Sequence, residues 1–222
     1  GCSHTSGDDL QDKSSAWPYL LAKKLGMSCN NNAVPGGSNE RILYESVKFN
    51  TCELVGVAWT YKERFTRYDN LNNFQINFNP SLAHTEYSDL YYFNQYGKLH
   101  YAHWSNTLYE FKIWLQQIIV LQKYFESKSQ RYLMLNAAQN NYNAFASSWL
   151  EFNNNIKDLV CFDVMNDEEL YQEHIEIQKY IDEINMKCYY SINNFHITDL
   201  HNVYPVGKTG HLLDEGHQHL AN

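Results

Sequence analysis

Two short apolar runs constrain the fold more than any other feature of this chain. Residues 51–59 read Thr-Cys-Glu-Leu-Val-Gly-Val-Ala-Trp, and residues 131–136 read Arg-Tyr-Leu-Met-Leu-Asn. Neither alternates cleanly between apolar and polar, so each is predicted to be a buried strand, as parallel strands are. Between them, Leu108, Phe111, Leu115, Ile118, Ile119 and Leu121 recur at helical spacing and mark a long amphipathic helix over residues 108–126. Strand–helix alternation with apolar strands predicts an α/β sandwich built on a parallel sheet.

The rest of the chain fits that frame. A helix is predicted over residues 14–26, with Ser14 or Ser15 as cap, Pro18 in the first turn and Gly26 at the end. After the Gly36-Gly37 turn, Ser38 or Asn39 caps a second helix over 40–49. Further helices are predicted over 138–151 and 167–185, the latter with Glu168, Glu169, Glu173 and Glu176 on a solvated face. Short strands are predicted over 159–164 and 194–199. Residues 60–106 are aromatic, Asn-rich and nearly aperiodic, too long for a simple connection, and read as an insertion, a lid or a partner-binding surface. No repeat or linker divides the chain, so residues 1–222 are expected to form a single domain with an insertion at about 60–106.

Composition excludes some classes of function. The 222 residues carry 17 basic and 25 acidic side chains, a net charge of −8 with no basic cluster, so nucleic acid is not an expected partner. Cys2, Cys29, Cys52, Cys161 and Cys188 are odd in number and lack C-x-x-C spacing, which suits free thiols in a reducing, cytoplasmic compartment. No apolar run is long enough for a membrane span, and no secretory signal is read in the chain. With a Met before it, Gly1-Cys2-Ser3-His4-Thr5 would also match a myristoylation signal.

The candidate chemistry lies at the two ends. Ser3 lies two residues after Gly1 and precedes a short turn, Ser6-Gly7-Asp8-Asp9, that leads toward a helix. A serine so placed exposes its hydroxyl, and free N–H groups at a helix start stabilise an oxyanion. At the other end, four of the ten histidines (His201, His211, His217 and His219) fall within the last 22 residues. Histidine is the side chain best suited to take a serine proton near neutral pH. His211, Asp214 and His217 could converge on a metal, but no H-E-x-x-H is present and His217 and His219 point to different helix faces, so no metal is expected.

Together the two ends resemble the SGNH/GDSL hydrolase family. Gly1-Cys2-Ser3-His4-Thr5 is similar to its first block, with Ser3 in the nucleophile's place. Asn31-Asn32-Ala33-Val34-Pro35-Gly36 is similar to its second, whose glycine N–H joins the oxyanion hole. His211, followed by Gly216-His217 and Leu220-Ala221, is similar to its last. Trp17-Pro18-Tyr19-Leu20-Leu21-Ala22, taken with Pro35-Gly36-Gly37-Ser38-Asn39, looks like phage-borne and related bacterial branches. The resemblance implies a three-layer, flavodoxin-like α/β/α sandwich and ester hydrolysis on a small-molecule or glycan ester, an O-acetylated carbohydrate among them, without a cofactor. It also implies Ser3 as nucleophile, with Gly36 and Gly37, and Asn39 beside them, at the oxyanion and substrate site.

The chain departs from the family in three places. Cys2 replaces the Asp of the first block. The third block, G-x-N-D, falls at Trp59-Thr60-Tyr61-Lys62, where Thr60 offers a hydroxyl donor and Arg64 a local replacement for lost polar contacts. The Asp expected three residues before the catalytic His is Lys208. Two registers follow. His211 is the base with its orienting acid supplied from elsewhere (Asp199, Asp214 or a backbone carbonyl), or Asp214 and His217 form the D-x-x-H pair. The alternative from another class is a decayed hydrolase fold that binds glycans or serves as a virion or assembly component. For that reading the aromatic segment 59–104 suits sugar stacking or an interface with a virion partner or a second copy of the chain, although it equally suits the packing of a large insertion.

Overall fold

The computed structural model describes residues 1–48, 52–69, 74–78, 91–103, 105–159, 165–190, 192 and 195–222. In chain order the elements are α1 (Ser3–Ser6), a 3-10 turn (Lys13–Ser15), α2 (Trp17–Lys24), α3 (Asn39–Lys48), β1 (Leu54–Trp59), β2 (Phe65–Asp69) and β3 (Phe74–Phe78). Then follow α4 (Tyr91–His103), α5 (Thr107–Ser127), β4 (Arg131–Asn136), α6 (Tyr142–Ala146), α7 (Trp149–Leu159), α8 (Asp167–Glu183), a 3-10 helix (Ile197–Asn202) and α9 (Asp214–Leu220).

The two apolar runs are β1 and β4, paired in parallel from Leu54 opposite Arg131 to Trp59 opposite Asn136. A parallel bridge between Met134 and Tyr189 adds a third position, with Met134 N–H donating to the Cys188 carbonyl and Tyr190 N–H to the Met134 carbonyl, both at 2.8 Å. The chain is therefore a mixed helix-and-strand protein of the α/β class with a small parallel sheet. Strand alternation sorts its side chains into two apolar clusters. Val55, Val57, Trp59 and Met134 join Ile42 of α3, Ile177 of α8 and the buried stripe of α5, whereas Ala58 and Leu135 join Trp17 of α2, Ile197, Leu200 and Leu212.

Local hydrogen bonding explains where the elements begin. Asp12, not Ser14 or Ser15, caps the turn before α2 by accepting from Ser14 N–H, and Gly26, at φ +69°, closes that segment. Ser38 Oγ accepts from Arg41 N–H at 3.3 Å and so caps α3, leaving Asn39 free for another role. Asn166 and Glu169 form a reciprocal capping box at α8.

Three expectations are corrected. The helix predicted over 138–151 breaks between α6 and α7 at Ser147, whose hydroxyl bonds back to the Ala144 carbonyl at 3.0 Å. Ile197 to Asp199, expected as strand, form the start of a 3-10 helix, because Asp199 accepts from His196 N–H at 2.9 Å and its own N–H returns to the His196 carbonyl. Leu159 closes α7 rather than opening a strand; residues 160–164 and 194 lie outside the described residues. The predicted insertion contains the antiparallel pair β2–β3, from Phe65 opposite Phe78 to Asp69 opposite Phe74, and then α4.

Candidate functional site

The two chain ends meet, with Cys2 and Leu212 in the apolar cluster that holds Ala58 of β1 and Leu135 of β4. A Gly207–His211 turn, closed by Gly207 N–H to the His211 carbonyl at 2.7 Å and flanked by the Val206–Leu212 bridge, lays Thr209 and His211 toward the turn that follows α1. Asp9 occupies the left-handed region there (φ +70°), which aspartate tolerates better than most residues. Its Oδ2 accepts from Thr209 N–H at 2.9 Å, the Thr209 hydroxyl at 2.8 Å and His211 N–H at 3.2 Å. Gly207 is required beneath it, since a Cβ at that position would fall 2.4 Å from Asp9 Cβ. The Thr209 hydroxyl and the two N–H groups hold the Asp9 carboxyl below its ordinary range, against the opposing effect of burial.

These contacts fix the proton on His211. The Thr209 hydroxyl lies 2.8 Å from both Asp9 Oδ2 and His211 Nδ1. An ionised carboxylate only accepts, so the single hydroxyl proton goes to Asp9 and His211 Nδ1–H donates to the threonine oxygen. Nε2 is then the free lone pair, the form a general base requires.

His4, next in sequence to Ser3, packs its ring 4.8 Å from that of His211 and 5.1 Å from that of His201. Ser3 itself is 6% exposed. Burial, reinforced by the neighbouring His211, His201, Arg64 and His217, lowers the His4 pKa to about 3. His201 is also lowered, by burial and then by His211 and His196. His217 is fully buried, and its Nδ1 accepts from Trp17 N–H at 3.1 Å. That bond places the His217 proton on Nε2 and leaves no lone pair for a serine proton, so the side chain anchors α2 to α9.

Burial lowers the His217 pKa to about 4, despite the opposing pull of Asp214. Both His4 and His217 thus fold neutral while the unfolded chain titrates near 6.5. The stability they contribute is complete above that pH and is lost as pH falls toward the folded values. Between pH 7 and pH 5 the loss should be about 2 kcal/mol per histidine, on the order of the linkage slope. Urea unfolding at the two pH values checks this, and equal midpoints would contradict it.

The loop expected to hold the oxyanion adjoins Gly1. Val34 N–H donates to the Gly1 carbonyl at 3.1 Å, and Asn31 Nδ2 donates to the Thr5 carbonyl at 2.8 Å. Gly36 adopts φ +69°, and Gly37 N–H closes the turn onto Val34. No acceptor for Gly36 N–H or Ser3 N–H is found among the described residues. Asn39 has a different place from the one expected. Its amide donates to the Thr60 and Tyr61 carbonyls and accepts from Thr60 N–H at 2.8 Å, so it clamps the end of β1 rather than facing a substrate. Asn140 closes the same clamp from the β4 side, at Lys62 N–H and the Thr60 carbonyl. Thr60 is fully buried and accepts from Arg64 Nη1 at 2.9 Å, while the Arg64 guanidinium lies 5.0 Å from the Tyr61 ring centre. Asp214 and Lys208 are exposed, and neither bonds to His211.

A groove of about 1010 Å³ is lined by Gln139, Asn141, Asn143, Asn154, Asn155 and Phe195 among others. Its lining includes no Lys or Arg. The 3-10 helix that carries His201 follows His196 and includes Asp199, both of which wall the groove. Among the described residues no group of three or more His, Cys, Asp or Glu side chains is placed to hold a metal ion. None of the described helices is long and apolar enough to cross a membrane.

Sequence reasoning missed Asp9, Thr209 and the His4–His201 pair. The Asp8-Asp9 doublet after Gly7 and the Thr-x-His spacing at 209–211 were visible, but their meeting across 200 residues was not. No protein-family model matches the chain, and neither does any curated protein or solved structure.

Proposed function

We propose that this chain is a serine ester hydrolase of the SGNH/GDSL type, with a three-layer α/β/α arrangement and an O-acetylated carbohydrate as its substrate class. The observation that carries this reading is the meeting of the two ends. His4, beside Ser3, packs its ring on that of His211, whose tautomer leaves Nε2 free as a base. The apolar clusters on opposite strand faces support the layering. In the reaction, Ser3 Oγ attacks the acyl carbonyl and His211 Nε2 takes its proton, then returns it to the departing alcohol. Water, activated by the same nitrogen, releases the acid. The Ser3 and Gly36 N–H groups stabilise the tetrahedral oxyanion, each donor being worth a few kcal/mol, on the order of about 3. The amide-lined groove, with the carboxylates of Glu151 and Asp199 and no Lys or Arg, suits a hydroxyl-rich ligand that carries no negative charge.

A non-catalytic glycan-binding role draws on one observation. Thr60, which stands where the family has its third-block donor, is fully buried. The test is turnover of p-nitrophenyl acetate by purified protein and by Ser3→Ala. Turnover lost in the variant supports the hydrolase. No turnover, with measurable binding to acetylated glycans, favours the binding role.

A further inference from the structure

We propose that Asp9 is the positioning acid for the His211 base, acting through the Thr209 hydroxyl; this rests on the hydrolase reading above. A histidine that takes a proton at Nε2 needs an acceptor at Nδ1, both to fix its tautomer and to stabilise the imidazolium. Lys208 stands three residues upstream of His211, is exposed, and as a cation accepts nothing. The carboxylate arrives instead from the N-terminal turn. Asp9 Oδ2 is 3.5 Å from His211 Nδ1 and is joined to it through Thr209 by two contacts of 2.8 Å. The same oxygen binds the N–H groups of Thr209 and His211, so it holds the backbone of the base as well as its ring. Gly207 leaves the space Asp9 occupies.

Among the described residues no other carboxylate has this placement. Asp199 is engaged with His196, and Asp214 opens α9 in solvent. The His4 ring of α1 packs on that of His211, the imidazoles of His201 on the 3-10 helix and His217 on α9 lie within electrostatic reach of it, and Arg64 lies near His4. None of these is an anion and only Arg64 carries a fixed positive charge, which leaves Asp9 as the negative charge that favours the imidazolium.

The experiment compares native protein with Asp9→Ala, Thr209→Val and Gly207→Ala on p-nitrophenyl acetate, with Ser3→Ala as reference. Each of the first three should lower kcat by about a hundredfold with KM little changed. The acid limb of the kcat/KM profile should move to lower pH in Asp9→Ala. Lys208→Asp should restore part of the rate in the Asp9→Ala background while adding little to the native protein. Ring-nitrogen NMR of native His211 gives a readout independent of turnover and of variant folding, and should show Nδ1 protonated and Nε2 bare. An Nε2-protonated ring, or an Asp9→Ala protein with unchanged kcat and pH profile beside an inactive Ser3→Ala, would overturn the proposal and leave the hydrolase standing. Unchanged turnover in Ser3→Ala would instead remove the hydrolase reading itself.

Discussion

Replacing His211 with alanine is expected to lower kcat for a short-chain ester by roughly three orders of magnitude or more, the usual consequence of removing a base that works as a unit with its serine. The double variant with Ser3→Ala should be no slower than either single variant, because the first loss already removes the shared step. His217→Ala should behave in the opposite way. That ring is fully buried and bonded to Trp17 N–H, so its removal leaves a cavity and an orphaned donor. Unfolding free energy should fall by about 1–3 kcal/mol while kcat is nearly kept. The pair of results separates the two C-terminal registers. A large rate loss in His217→Ala with a mild one in His211→Ala would reverse the assignment.

The largest expected change in stability comes from Phe111→Ala. Phe111 lies on the buried stripe of α5 and is fully covered, stacked on Phe145 with ring centres 4.1 Å apart and set 5.4 Å from Trp114. That stripe also holds Leu108, Leu115, Ile118, Leu121 and Phe125, so α5 joins α3, α8 and the sheet in one apolar cluster. Truncation removes the aromatic transfer energy and leaves a cavity that rigid helices on several sides cannot close. The expected loss is about 3–5 kcal/mol. Val120, on the outer face of the same helix and 56% exposed, is the control, with a change of under about 0.5 kcal/mol on alanine substitution. Urea unfolding midpoints measure both.

The parts of this architecture legible in the sequence were those set by local pattern. The strands at 54–59 and 131–136 follow from apolar runs, and α5 follows from its 3.6-residue period, because burial on that scale leaves a repeating mark. Where side-chain hydrogen bonds compete with the backbone, pattern failed. Ser147 divides a predicted helix in two, and Asp199 turns an expected strand into a 3-10 helix. At the candidate site, Ser3, Gly36 and His211 could be named from motif-like blocks. That Lys208, and not an acid, precedes His211 by three residues was legible too. The Asp9–Thr209 contact was not, since Asp9 reaches Thr209 only through the tertiary meeting of the two ends. Asn39 illustrates the converse: a polar residue beside a glycine turn looks available to a substrate, yet both sides of its amide are used in holding the end of β1.

The central claim is that Ser3 is an activated nucleophile, and covalent labelling tests it most directly. The native protein would be treated with an alkyl fluorophosphonate, digested, and the modified peptide sequenced by mass spectrometry. A single adduct on Ser3, absent from Ser3→Ala and much slower to form in His211→Ala, is the predicted result. No adduct at Ser3, or one that forms equally fast without His211, would contradict it.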